Sequence, residues 1–208
     1  IFAFEALMRW QHPTRGNVPP GEFISSIEAT GLIVRGGMDI FRQACAQLAH
    51  WHQMGWNDLV MSINLSVRQF ESPTLLTQID HILAETKVNP AFIKLEITET
   101  AIMKKASGAI ALMEQLRSRR MQISIDDFGT GYSSLGYLYQ FPVNTLKIDQ
   151  SFVSNTQHQS RQYQVVDTII SLGKQLSLDV IAEGIETSQQ LNWLRQLDCQ
   201  FGQGYLFS

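Results

Sequence analysis

Little in this chain points to a disulfide-braced, membrane-spanning or polyanion-binding protein. Only two cysteines occur among 208 residues, Cys45 and Cys199. They share no close motif, so each is expected to sit reduced in the interior of a cytoplasmic protein. No apolar run approaches the length of a membrane span, and no signal peptide is visible. Basic charge is scarce as well: 16 Lys+Arg against 19 Asp+Glu leave a net charge of −3. That excludes a basic footprint for polymeric nucleic acid or an anionic membrane. It does not exclude a nucleotide held through metal ions. Low-complexity tracts and charge blocks are absent.

What remains is an ordinary globular composition, 44% hydrophobic and 17% charged, in a chain long enough for one large domain and a substantial core. The chain opens on apolar Ile1-Phe2-Ala3-Phe4 and stops at Tyr205-Leu206-Phe207-Ser208. Both ends look cut from something longer, so residues 1–208 are read as a single domain of a larger protein. Short apolar strands alternate with longer amphipathic stretches. The expected strands are Ile1–Arg9, Leu59–Leu65, Ile93–Thr98, Gln122–Asp126, Thr145–Ile148, Asp179–Glu183 and Phe201–Tyr205. Helical spacing of three or four links Ile40, Phe41, Ala44, Cys45, Leu48, Trp51 and Met54, and recurs around Leu75–Leu83, Ile110–Leu116 and Val165–Ile170. Ser188–Leu197 is a last, shorter helix. Seven strands separated by helices predict an α/β fold, a TIM-like (β/α) barrel with a piece missing, ahead of a doubly wound open sheet.

Strand parity sharpens the picture. Ile93, Leu95 and Ile97 alternate with Lys94, Glu96 and Thr98, and the same split divides Ser124-Ile125-Asp126 and Leu146-Lys147-Ile148-Asp149. An antiparallel sheet with one solvated face would show this pattern too, but the intervening helices favour a barrel whose polar set lines the lumen. The C-terminal ends of successive strands then offer Glu5, Asn64, Glu96, Asp126, Lys147, Glu183 and Gln203, where a barrel keeps its active site. Four are carboxylates and Asp127 adds a fifth. Carboxylates crowded away from water take up protons unless cations compensate. Hard ions such as Mg²⁺ or Mn²⁺ suit oxygen ligands, two of them suit this many, and such a pair serves in-line phosphodiester hydrolysis. His12, His50, His52, His81 and His158 show no zinc-ligand pairing. Any one of the acids could equally be a helix cap or a rim group; repetition on strand after strand is what counts against that.

These residues fall in motifs that resemble a known family. Glu5-Ala6-Leu7-Met8-Arg9 is the E-A-L-x-R signature of EAL-domain cyclic di-GMP phosphodiesterases. The likeness runs on through Pro20-Gly21-Glu22-Phe23-Ile24, Asn64-Leu65-Ser66, Glu96-Ile97-Thr98-Glu99, Asp126-Asp127-Phe128-Gly129-Thr130-Gly131-Tyr132-Ser133, Lys147-Ile148-Asp149, Ala182-Glu183-Gly184-Ile185-Glu186 and Gln203-Gly204-Tyr205. The resemblance implies a TIM-like barrel, here without the family's first strand and its C-terminal end, that hydrolyses cyclic di-GMP to linear pGpG with two Mg²⁺ or Mn²⁺ ions. It implies that Glu5, Asn64, Glu96 and Asp126 hold one ion, and that Asp126 bridges to a second bound by Asp127 and Glu183. Lys147 and Glu183 are the implied catalytic pair, and Arg9, Leu7 and Gln203 the implied substrate contacts. Glu99 is the implied brace of the Gly129–Ser134 loop, with Thr98, Asp149 and Glu186 in supporting positions. A homodimer, fused sensory or GGDEF modules and a cytoplasmic location are implied as well. A cyclic di-GMP receptor without turnover and a protein-binding scaffold are the alternatives; the full set of acids disfavours the first, and Arg9 and Gln203 the second. One difficulty stays open. Along a regular strand Asp126 and Asp127 point to opposite faces, so a turn ending the strand is expected to bring Asp127 back.

Overall fold

The fold rests on parallel strands laid down in chain order. In this computed structural model the described residues are 1–103, 106–131, 135–154 and 161–207. The chain forms two compact units, Ile1–Ile97 with Gln115–Gln122, and Thr98–Glu114 with Ile123–Ser208.

The first unit begins with β1 (Ala3–Ala6), a hairpin of β2 (Trp10–His12) and β3 (Gly16–Val18), and α1 (Pro20–Thr30). There follow α2 (Leu32–Gln53), β4 (Val60–Asn64), α3 (Val67–Phe70), α4 (Leu75–Thr86) and β5 (Ile93–Thr98). Parallel pairing aligns Glu5 with Ser62 and Ala6 with Ile63, then Ser62 with Lys94 and Asn64 with Glu96. α2 packs on α4, and Phe41, Cys45 and Leu48 of the one and Ile79 and Ile82 of the other are buried, as are Ile93, Leu95 and Ile97 on β5. Hydrophobic burial of these side chains is the main stabilising term.

The second unit carries α5 (Glu99–Met103), α6 (Ala106–Ser118, whose last turn belongs to the first unit), β6 (Gln122–Phe128) and α7 (Leu135–Leu138). It continues with β7 (Thr145–Ile148), α8 (Gln150–Val153), α9 (Arg161–Gln175), β8 (Asp179–Ala182), α10 (Ser188–Gln196) and β9 (Phe201–Gly202). β7 pairs in parallel with β6 and β8, and β8 with β9. α9 packs on β7 and β8, and its Val166, Ile169 and Ile170 are buried. The order β1-β4-β5 in one unit and β6-β7-β8-β9 in the other never doubles back. A doubly wound sheet must reverse its order; a TIM-like barrel succession does not, and this chain has the latter. Among the described residues no helix is long and apolar enough to cross a membrane.

Ile93–Thr98 and Thr145–Ile148 match their expected bounds. β1 and β9 are shorter than expected. β6 runs two residues past its expected end. The hairpin and α1 escaped the periodicity argument. α1 carries its signal in its ends: Pro20 opens it and Gly31, at φ +80°, closes it.

Candidate metal centre

The acids of the second unit gather because β6 is irregular. Ile125 pairs with Leu146 and Phe128 with Ile148, so Asp126 and Asp127 together oppose Lys147. This is a β-bulge, two residues against one. Asp127 takes the left-handed conformation, φ +53°, which aspartate tolerates better than most residues. The bulge reverses the parity of one residue and turns the second carboxylate toward the first. The expectation that Asp127 rejoins Asp126 is met, but inside the strand and not by ending it.

Asp126, Asp127 and Glu183 each place a carboxylate oxygen within 4.8 Å of the others. Glu183 follows β8 immediately, where its N–H donates to Ile148 O. Gly184 then turns away at φ +70°, and a Cβ there would lie 2.5 Å from Gln150 Cβ. Lys147, only 1% exposed, sits among these acids with Nζ 2.7 Å from Glu183 Oε1 and 3.2 Å from Asp126 Oδ1. The contact to Asp126 is an ion pair without hydrogen-bond alignment, and Asp126 Oδ1 is buried with no hydrogen-bond partner. Burial, the neighbouring Asp126 carboxylate and then Asp149 push the Asp127 carboxyl above its ordinary range, against the pull of Lys147. A buried carboxylate oxygen without a hydrogen bond, beside a proton-hungry carboxyl and a third acid, is a donor set that fits a hard divalent cation.

Around this cluster, Asp149 caps α8 by accepting the Ser151 N–H at 3.0 Å. Glu99, 4% exposed at the start of α5, accepts the Gly129 N–H at 3.0 Å through Oε2. Its other oxygen would lie 3.0 Å from a Cβ at Gly131. Gly129 itself needs to be glycine, with φ +98° and Phe152 Cε2 3.1 Å from a would-be Cβ. The brace between Glu99 and this loop therefore exists at Gly129; Tyr132, Ser133 and Ser134 lie outside the described residues. Thr98 Oγ1 accepts the Ala101 N–H and so caps α5.

In the first unit, Asn64 Nδ2 donates to Glu5 Oε1 at 2.6 Å, which turns its carbonyl oxygen away as a neutral acceptor. Glu96, 2% exposed, is the register partner of Asn64 on β5. Lys94 was overlooked by the sequence reading of site residues. It is 2% exposed and occupies the same face of β5, on the rung of Ser62 and Glu5. Strand parity held the signal, since a lysine in the polar set of a buried strand has to be compensated.

The remaining candidates lie at the ends of other strands and turns. Leu7 and Arg9 are exposed beyond β1, with Arg9 Nη1 donating to Met8 O. Gln203 is exposed after β9 and ties to the β8 side through its backbone, donating to Ala182 O and accepting from Ile185 N–H. Glu186 is exposed, and its N–H donates to Gln190 Oε1 at the start of α10. Cys45 is buried, with its thiol pushed up to about 12, while Cys199 is half-buried; both are free.

The EAL domain family model matches residues 1–208. An uncharacterized protein, sll1895 of Synechocystis sp., is 45% identical over 204 residues, 98% of this chain and 29% of its own length. The bifunctional diguanylate cyclase/cyclic di-GMP phosphodiesterase MucR of Pseudomonas aeruginosa is 41% identical over 206 residues, 99% of this chain and 30% of its own. The chain thus spans under a third of the length of these curated relatives. A solved structure of PaMucR phosphodiesterase in complex with c-di-GMP has a TM-score of 0.97 at 39% identity, covering 100% of this chain and 84% of that one.

Proposed function

This chain belongs to the EAL domain family, and on that premise we propose that it hydrolyses cyclic di-GMP to linear pGpG. The observation that carries the proposal is the gathering of Asp126, Asp127 and Glu183 around buried Lys147, with Asp126 Oδ1 buried and accepting no hydrogen bond. A divalent cation held by these carboxylates would supply charge neutralisation at the phosphodiester and a lowered pKa for the attacking water. Mg²⁺ or Mn²⁺ is the proposed metal and two ions the proposed number, with Glu5, Asn64 and Glu96 as the ligands of the first unit.

The chain's own residues do the rest. Lys147 pairs with Glu183 and Asp126 and orients the attacking water. Glu183 accepts the proton that water loses. Arg9 offers a guanidinium fork to a phosphate oxygen, with Leu7 and Gln203 as the other substrate contacts. Water adds to phosphorus, the bond to the 3′ oxygen breaks, and that oxygen takes up the proton Glu183 received and leaves as a hydroxyl. The 5′-phosphate stays on pGpG. Residues 1–208 act as one EAL domain in this reading, in a longer cytoplasmic protein with neighbouring sensory or GGDEF modules and a homodimeric state. Incubation with cyclic di-GMP and Mg²⁺ or Mn²⁺, followed by chromatography, should give pGpG. Binding without any linear product would refute turnover and leave a receptor.

A further inference from the structure

Two hydroxyls on β6 and β7 have no place in that mechanism. Ser124 lies two residues before Asp126 and Thr145 two residues before Lys147, so each shares the sheet face of the group it precedes. Their Cα atoms are register partners. Both residues are 0% exposed, and neither hydroxyl oxygen has a hydrogen-bond partner among the described residues. Asp126 Oδ1, on the next rung, is buried too and has an ion pair to Lys147 but no hydrogen bond. Orphaned buried polar atoms are rare in folded proteins, and two on one rung beneath such a carboxylate signal a further partner.

The chemistry narrows what that partner is. A cation on this rung is disfavoured because its two residues, Ser124 and Thr145, are neutral and the ammonium of Lys147 lies one rung further along the same face. An anion is disfavoured by the carboxylate itself. A small neutral molecule is needed that donates to Asp126 and exchanges hydrogen bonds with two buried hydroxyls. Water meets all of these conditions. We propose that Ser124 and Thr145 bind an internal water that supports Asp126 and Lys147 from beneath, which makes the two hydroxyls positioning residues of the site. The water donates one hydrogen to Asp126 Oδ1 and one to a hydroxyl oxygen, and accepts from the other hydroxyl. Only the kinetic consequence rests on the phosphodiesterase reading.

The test uses the wild-type chain, the Ser124→Ala/Thr145→Val double variant and Thr145→Ser. High-resolution crystallography of the wild type should show water density within hydrogen-bond distance of both hydroxyls, and the double variant should lose it. Thermal melting in EDTA should place the double variant about 2–4 °C or more below wild type. The double variant's kcat should drop about tenfold with KM within about twofold, because the effect falls on the positioning of Asp126 and Lys147 and not on substrate contacts. Thr145→Ser keeps the hydroxyl and should stay near wild type in both measurements. Absence of the water overturns the proposal. So does a double variant as stable as wild type or more so, which is the result of removing hydroxyls that have no partner. An unchanged kcat in the double variant overturns the positioning role. If the wild type itself lacks turnover, the phosphodiesterase reading fails while density and melting still decide the water site.

Discussion

Replacing Lys147 with methionine should cost the metal-free protein more stability than any other single change at the acid cluster. At 4.8 Å and an effective dielectric near 20, each like-charged pair repels by about 3.5 kcal/mol. Asp126, Asp127 and Glu183 contain three such pairs, which nothing offsets once the ammonium is gone. Proton uptake by Asp127, whose pKa is already raised, limits the cost, and truncating one partner of a buried ion pair typically costs about 3–5 kcal/mol. Urea denaturation in EDTA at pH 7.5 should therefore move the midpoint down by about 1–1.7 M, taking a slope of about 3 kcal/mol/M.

Two signs accompany that magnitude. The Asp127 carboxyl already sits above its ordinary range, and its protonation removes repulsion that the ammonium no longer offsets, so the deficit should shrink as pH falls toward 5. A divalent cation replaces the lost charge without competing with an ammonium. Mn²⁺ should thus stabilise Lys147→Met more than wild type at equal concentration, where an ion at 100 times its Kd contributes about 2.7 kcal/mol. A midpoint shift in EDTA worth under about 1 kcal/mol, or a deficit that does not change with pH, would refute this account of the lysine as resident counter-ion.

Three further outcomes follow from the same geometry. Asp127→Asn keeps a residue that tolerates φ +53° and removes a carboxyl whose pKa burial and Asp126 have raised. The native state holds that proton more tightly than the unfolded chain, so wild-type stability without metal falls as pH rises through the interval above the ordinary carboxylate pKa; the variant should melt higher than wild type in EDTA at pH 7.5 yet bind Mn²⁺ more weakly by titration calorimetry. Glu99→Ala leaves the Gly129 N–H without its 3.0 Å acceptor and should lose about 1–3 kcal/mol in urea, with Glu99→Gln losing less because an acceptor remains. Lys94→Met removes a 2% exposed cation from the Glu5 rung, and its melting deficit should be larger in EDTA than in Mn²⁺; equal deficits in the two buffers would make Lys94 a packing residue only.

The fold was legible because a buried parallel strand and an amphipathic helix leave different periods in the sequence. Ile93–Thr98 and Thr145–Ile148 could be bounded to the residue since their apolar members are buried and their polar members share the opposite face. Elements too short to complete a period were invisible to that argument: the three-residue strands of the hairpin, and the single turns Val67–Phe70 and Gln150–Val153. Their information lies in caps. Ser66 and Gln69 form a capping box on α3, and Asp149 caps α8. Asp149 shows why a lone acid is weak evidence. It accepts the Ser151 N–H as a cap and also helps raise the Asp127 pKa. One carboxylate thus fills the structural and the electrostatic role that sequence reasoning treats as alternatives.

Within the acid cluster, the part the sequence could not supply is one residue of register. Parity alone sends Asp127 away from Asp126, and nothing in Ile123-Ser124-Ile125-Asp126-Asp127-Phe128 announces that two residues will oppose one. The decisive facts lie on the neighbouring strand and beyond the pair: Ile148 aligns with Phe128, and Gly129 at φ +98° takes the chain out against Phe152 with its N–H fixed by Glu99. Glu99 thereby anchors the exit of the bulge that places Asp127. If that linkage holds, weakening the Glu99 anchor loosens the Asp127 carboxylate before it disturbs Asp126, whose position follows from regular pairing of Ser124 and Ile125 with β7. Glu99→Gln should therefore weaken Mn²⁺ binding in the wild-type background and have much less effect once Asp127 is already asparagine. A double-mutant cycle on Mn²⁺ affinity measures the difference directly, and additive losses would show that Glu99 does not act through the bulge.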